Sequence, residues 1–129
     1  MILNNAKILN IVNAYQKGTD LKLPPVLAWK RRVNMQEMIR VKGIIDEALA
    51  EIRKNYTDDE HSKDLGNGIR EVFPEYYNDY IKAQDELLNL DTEVSIEVVK
   101  VNLSDLGNAP ISDNDLETLA FMIEVKDED

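Results

Sequence analysis

The sequence lacks cysteine altogether and contains one histidine and one tryptophan among 129 residues. Without cysteine, the chain can form neither a disulfide framework nor a thiolate zinc site, and it has no cysteine nucleophile. No stretch approaches the roughly 18 uninterrupted apolar residues of a membrane span. Asparagines and a lysine interrupt residues 1–18, where a signal peptide would have its apolar core. These absences predict a soluble protein that stays inside the cell.

Residue types that carry catalysis are present, but they lie outside the patterns that activate them. The single histidine, His61, lies within DDEHSKD, which lacks the glycine and the spaced oxygen ligands of a calcium loop. The segment LGNGI lacks the lysine of a phosphate-binding loop. No serine follows the pattern of a nucleophile elbow. We therefore expect His61 to lie in a solvated loop.

Three aspartates near the C-terminus offer a second possible metal site. Asp105, Asp113 and Asp115 surround predicted turns and could bind a hard cation, as in a metal-assisted hydrolase. Aspartate in such positions more commonly caps helices and turns, which is the interpretation we favour. The sequence therefore predicts no catalytic residue, no cofactor and no metal.

Positive charge is scarce in the second half of the chain. The sequence has 15 Lys or Arg and 25 Asp or Glu, a net charge of −10. Residues 1–56 carry a net charge of +5, and residues 57–129 carry −15. The two halves could pair within the chain, or the imbalance could steer a partner. Because binding phosphates needs a stripe of cations, we expect no nucleic-acid partner.

Helical spacing of apolar residues dominates the chain. It predicts a short N-terminal helix over 4–17, a long helix over 26–55 and a second helix over 74–89. The polar segment 55–68 has no periodicity and is predicted as a solvated loop. A connection of this length can reverse the chain, so we expect the two longer helices to form an antiparallel hairpin.

Extended segments are fewer and shorter. Leucines alternate with lysine at 21–24, and β-branched residues alternate over about 93–103, with a bulge near Val98. Ser112, with Asp115 three positions later, predicts the capped start of a short C-terminal helix, whose apolar face would be formed by Leu116, Leu119, Ala120 and Ile123. The expected fold is thus α+β, mainly α, with one small β element in a single domain over residues 1–129.

The long helix carries a wide apolar stripe between Met35 and Tyr56. Met38, Val41 and Ile45 recur at steps of three and four, as in a coiled-coil seam. A compact domain of this size would leave so long a stripe uncovered, so we expect a homo-oligomer with these three residues at the interface. Gly43 is either a tolerated glycine or a place where another backbone comes close.

The segment around the only tryptophan allows two interpretations. Trp29 is followed by Lys30, Arg31 and Arg32 and shares a helical side with Val33. The ring can cover the edge of the core while Lys30 and Arg31 face water, and we expect this burial. Alternatively, Trp29, Arg31 and Arg32 form the centre of a protein interface, where tryptophan and arginine are enriched.

The order of segments resembles a known group of proteins. LKLPPVLAWKRRVNMQEM at 21–38 and VSIEVVKVNLSDLGNAPISDNDLETLAFMI at 94–123 are similar to segments of small uncharacterised proteins encoded by phages and prophages of Gram-positive bacteria. This chain departs from them in its double proline and in Trp29. The resemblance implies expression in the host bacterial cytoplasm or presence in the virion, and it implies no site residues.

Two functional hypotheses follow. The first is a non-enzymatic interaction or assembly protein that binds itself, a phage protein or a host protein, away from membranes. The second is an acidic inhibitor that imitates nucleic acid and occupies the cationic cleft of a host nuclease or defence protein. Charge mimicry should weaken steeply as salt rises, whereas an apolar interface should persist.

Overall fold

Helices take up most of the chain, which confirms a mainly α fold with small β parts. The computed structural model describes residues 1–19, 21–106 and 111–126. In chain order, the elements are β1 (Ile2–Asn4), α1 (Asn5–Gln16), α2 (Pro25–Tyr56), β2 (Ser62–Gly66), β3 (Ile69–Val72), α3 (Pro74–Leu88), β4 (Asp91–Glu93), β5 (Val99–Val101), a 3-10 turn (Leu103–Leu106), α4 (Asp113–Ala120) and β6 (Ile123–Val125).

Helix α2 is continuous over 32 residues, about 48 Å at 1.5 Å per residue. It begins at Pro25, where the missing N–H of proline costs nothing because the first helical N–H groups have no intrahelical partner. Gly43 is exposed within it, and a Cβ built there would meet no other described residue within 4 Å. Gly43 is therefore a tolerated glycine and not a point of close backbone approach.

The main core lies between α1 and α2. Its buried residues come from both helices and from two flanking segments: Leu3, Ile8, Ile11, Val12, Met35, Met38, Val41, Ile45 and Val94. Met38, Val41 and Ile45, which the sequence placed at an oligomer interface, are thus buried within one chain. The expectation overlooked that the short N-terminal helix covers this stretch of α2, so these three residues present no open surface.

Within the described residues, three two-stranded sheets replace the single β element that the sequence predicted. Strands β1 and β4 pair antiparallel, as do β2 and β3, and β5 pairs parallel with β6. Residues 21–24 form no strand, and 93–103 is divided between the end of β4 and β5. Parallel pairing requires a crossover, which α4 supplies between β5 and β6. The partner of β5 is therefore the C-terminal segment and not residues 21–24.

The predicted loop at 55–68 contains the whole of β2, which forms a hairpin with β3. Gly66, Asn67 and Gly68 at its turn all have positive φ angles, which glycine and asparagine adopt most readily. The charged side chains on β2 hid its extended character, because they disrupt the alternation of apolar and polar residues that marks a strand.

Helix α4 starts as predicted. The Ser112 side chain accepts a hydrogen bond from the backbone N–H of Asp115 at 3.1 Å, which confirms the cap. The expected apolar face is only partly inward, since Leu119 is buried but Leu116 is exposed. Ile123 belongs to β6 and not to the helix, because α4 ends at Ala120.

Asn34 ties the chain between β4 and β5 to the middle of the fold. Its side-chain amide donates to the backbone carbonyl of Glu97 at 2.9 Å, and its oxygen accepts from the Glu97 N–H at 3.0 Å. The Asn34 side chain is buried. It provides hydrogen-bond partners for the N–H and the carbonyl of residue 97, as the backbone of a neighbouring strand would.

Replacing this amide tests its role. We expect Asn34→Ala to lower the free energy of unfolding by about 2 kcal/mol, because two hydrogen bonds to residue 97 are lost. Urea denaturation measures the change, and Gln36→Ala, at an exposed position of the same helix, should stay within about 0.5 kcal/mol of the parent. Equal unfolding midpoints for the Asn34 variant and the parent would contradict the role.

Candidate interaction surface

Trp29 lies on the outside of α2, so the prediction of its burial was wrong. Its side chain is 66% exposed, and Val26 and Val33 on the same helix are 67% and 47% exposed. Leu27 is the residue of this turn that enters a core cluster. At about 100° per residue, Trp29 lies roughly 200° around the helix from Leu27 and faces the opposite direction.

We call the exposed group Val26, Trp29, Arg32 and Val33 the Trp29 surface. Steps of three and four residues place these side chains next to one another along the helix. The opposite side of α2 is held by Leu27, which packs with Val101, Leu106 and Met122. The Trp29 surface is therefore an apolar patch on a backbone whose position the core fixes.

The three cations that follow Trp29 have different fates. Lys30 forms an ion pair with Glu97 at 2.7 Å, and Arg31 pairs with Asp115 at 3.5 Å. The expectation of a water-facing side chain is thus wrong for Arg31, which is only 11% exposed, whereas the Lys30 ion pair lies at the surface. Arg32 is exposed and forms no ion pair within the described residues. Of the interface candidates, only Trp29 and Arg32 are brought together at the surface.

Arg31 instead joins a buried polar junction at the start of α4. Asp115 accepts hydrogen bonds from the Ser112 hydroxyl at 2.7 Å and from the Leu21 N–H at 3.2 Å. Arg31 also donates to the Thr19 hydroxyl at 3.1 Å. The junction fastens the segment before α2 to α4. These contacts show Asp115 in a capping and pairing role.

The two other aspartates considered as metal ligands are exposed and are not part of this buried junction. Asp105 accepts a hydrogen bond from the Asn102 N–H at 3.0 Å, which stabilises a turn. Asp113 is exposed in the first turn of α4, where a negative charge interacts favourably with the helix dipole. Both positions fit the capping interpretation of the sequence.

Neighbouring arginines provide a matched test of this assignment. We expect Arg31→Ala to destabilise the fold by about 3 kcal/mol, because it removes a cation that pairs with the buried Asp115 carboxylate. Arg32→Ala should change stability by less than about 0.5 kcal/mol, since that side chain is exposed. Urea denaturation of both variants decides the matter. The assignment fails if the two variants are equally stable.

His61 lies in the turn before β2, where its ring contacts two tyrosine rings. Its Nδ1 lies 2.6 Å from the Asp58 carboxylate, and its ring lies 4.6 Å from the Tyr76 ring and 5.7 Å from the Tyr56 ring, between centroids. This contact could not be predicted from local patterns, because Tyr76 comes from α3 and meets His61 only in the folded chain. The imidazole therefore links the hairpin to both long helices.

This corner also holds the group of potential metal ligands found among the described residues. Asp58, Glu60 and His61 can each offer a ligand atom, and these atoms lie within 4.8 Å of one another. Asp58 is already engaged, since it also accepts from the backbone N–H of His61 at 3.0 Å. The hydrogen bonds thus account for the arrangement as a turn that starts the hairpin.

The hydrogen bond from His61 lowers the pKa of Asp58 below its ordinary value. A carboxylate with a lowered folded-state pKa stabilises the fold above its unfolded-state pKa, and this stabilisation is lost as pH falls through the folded-state value. We expect His61→Ala to raise the pKa of Asp58 towards the ordinary value. Carboxyl-carbon NMR titration measures it, and an unchanged titration midpoint would exclude His61 as the cause.

Helix α3 provides a second exposed surface. All fifteen of its residues are described, and none is fully buried. A groove of about 850 Å³ runs along its outer side and is lined by Tyr77, Asn78, Ile81, Lys82, Asp85, Glu86, Asn89 and Leu90. Tyr77 is 53% exposed and Leu90 is 57% exposed. The helix thus combines an apolar groove with acidic side chains.

No helix in the described part of the chain is long and apolar enough to cross a membrane. Comparisons with protein-family models, with curated proteins and with solved structures each found no match.

Proposed function

We propose that the chain is a non-enzymatic protein-interaction or assembly protein that binds a protein partner through the Trp29 surface. The observation that carries this proposal is the exposure of the only tryptophan, between two exposed valines and beside an arginine that forms no ion pair with the described residues. Tryptophan and arginine are the side chains most enriched at the energetic centres of protein interfaces. The internal pairing of Lys30 and Arg31 leaves Arg32 to contribute charge to the contact.

The rigidity of α2 supports the same proposal. A side chain on a fixed backbone loses little conformational freedom on binding, so more of its contact energy contributes to affinity. An aromatic ring buries about 150–250 Å² when it is covered. The Trp29 surface therefore has the properties of an anchor for a partner.

We infer a phage origin from the resemblance of the chain's segments to proteins of phages and prophages. The host bacterial cytoplasm or the virion is then the place of action. We also infer that α2 and α3 form an antiparallel hairpin. The ring of Tyr56, at the end of α2, lies 5.4 Å from the ring of Tyr80, between centroids, while Leu49 and Leu88 both contact the main core.

An acidic inhibitor that imitates nucleic acid is the second candidate. It is favoured by the carboxylates of α3, where Glu75, Asp79, Asp85 and Glu86 are all exposed and Lys82 is the only cation. Such a protein would bind a cationic cleft through α3, and Trp29 would contribute nothing. The two candidates thus predict different variants that lose the partner.

Capture experiments with matched variants test the proposed function. The immobilised parent chain and its Trp29→Ala, Arg32→Ala, Asp85→Lys and Leu103→Ala variants are exposed to lysate of bacteria carrying an induced phage. We expect the partner retained by the parent to be lost with Trp29→Ala, a loss of 2 kcal/mol or more being typical of a hot spot and equal to about 30-fold in affinity. Binding to Leu103→Ala, a control at another exposed apolar position, should be unchanged.

Salt separates the candidates in the same experiment. A partner held by the apolar Trp29 surface should remain bound when salt is raised, whereas a partner held by charge on α3 should dissociate. Retention of every captured protein by Trp29→Ala would refute the proposed function. Loss at high salt together with loss in Asp85→Lys would instead support the inhibitor.

A further inference from the structure

We propose that the partner of the Trp29 surface is a second copy of this chain, which receives it in the outer groove of α3. This inference rests on the proposed function, because it uses the same surface and names its occupant. Both surfaces are exposed in the single chain, so Trp29 does not occupy the groove of its own chain. A contact between them requires another copy.

The two surfaces match in apolar character. The Trp29 surface, which is the donor surface of this contact, presents an indole ring between two valines. The groove that receives it presents Tyr77, Ile81 and Leu90. The groove is open along the side of α3 and the two residues that follow it, so an indole side chain can lie against it without entering an enclosed pocket. Aromatic rings such as Trp29 and Tyr77 attract each other in offset or edge-to-face arrangements.

The two surfaces also match in charge. Arg32 borders the ring on the donor surface, and Asp85 and Glu86 line the groove. Glu86 is only loosely engaged, since Lys82 lies 4.0 Å from it and both side chains are largely exposed. A second copy would therefore bring the basic first half of one chain against the acidic second half of another.

A symmetric contact between two Trp29 surfaces is less favourable. It would place Arg32 of one copy near Arg32 of the other, and like charges at an interface oppose association. Contact between different surfaces avoids this repulsion and is head-to-tail. The copy at one end of such an assembly keeps an unused Trp29 surface, and the copy at the other end keeps an unused groove. Further copies can therefore add until a ring closes or a filament forms.

Two complementary variants test the head-to-tail contact. Trp29→Ala removes the donor surface but keeps the groove, whereas the double variant Asp85→Lys with Leu90→Ala disrupts the groove but keeps the donor surface. All three substituted positions are exposed, so both proteins should retain the helical circular dichroism of the parent. Leu103→Ala, exposed elsewhere, is the control.

Sedimentation velocity across micromolar to millimolar concentrations provides the measurement. We expect the parent and Leu103→Ala to form species larger than the 14.8 kDa chain that grow with concentration. Each complementary variant alone should be weakened at least about 30-fold in self-association. An equimolar mixture of the two should form a dimer and stop there, because only one intact donor surface and one intact groove remain.

Three results would overturn the head-to-tail contact. They are a parent that stays monomeric throughout the range, a Trp29→Ala variant that assembles like the parent, and a mixture that forms no dimer. If the parent is monomeric but loses a captured phage or host protein on Trp29→Ala, the self-contact fails and the proposed function stands. If neither assembly nor capture depends on Trp29, both fail.

Discussion

The packing of α1 against α2 determines the rest of the molecule, because it decides which side of the 32-residue helix faces inward. Met35, Met38 and Val41 are almost completely inaccessible along that seam, together with Ile8 and Ile11 of α1. Once these residues are inside, the pitch of the helix leaves no freedom for the remaining positions. Trp29 must then lie outside, and so must the valines on either side of it.

The elements that could be predicted from the sequence are those that are long or that depend on local contacts alone. Helices α2 and α3 could be predicted because many apolar residues repeat the same period and because Pro25 and Pro74 mark their starts. The cap at Ser112 was predictable for the same reason, since a cap is a local contact across three residues. Such features depend on little beyond the segment that carries them.

The strands were hard to predict because most of them contain only three residues and their partners lie far along the chain. Strand β1 pairs Ile2 with Glu93, and β5 pairs Val99 with Ile123. A segment this short carries too few side chains to show a period of two. Ile123 fitted the spacing of the C-terminal helix equally well, so its strand pairing could be seen only in the folded chain.

The Trp29 surface was difficult to predict for a different reason. Helix α2 carries two rows of apolar residues along its length, and only one of them faces the core. The line through Leu27, Met38 and Ile45 continues along the helix, whereas the line through Val26 and Val33 gives way to polar residues such as Gln36 and Arg40. Continuity was thus the available signal that the second line is not the core. A helix needs only one apolar side to pack against the core. Apolar residues on its outer side, such as Val26 and Val33, are therefore available for contact with a partner.

Charge provides the last constraint on how such a surface can be used. The fold pairs Lys30 and Arg31 with carboxylates of the second half, yet α3 keeps exposed carboxylates with only Lys82 among them. Ion pairs within the chain therefore neutralise only part of the negative charge of the second half. The remaining negative charge repels a similar surface and attracts a cationic one, so two copies can approach most easily with unlike surfaces facing. An apolar ring next to Arg32 is suited to that approach, because the charge guides the encounter and the ring supplies the contact that persists in salt.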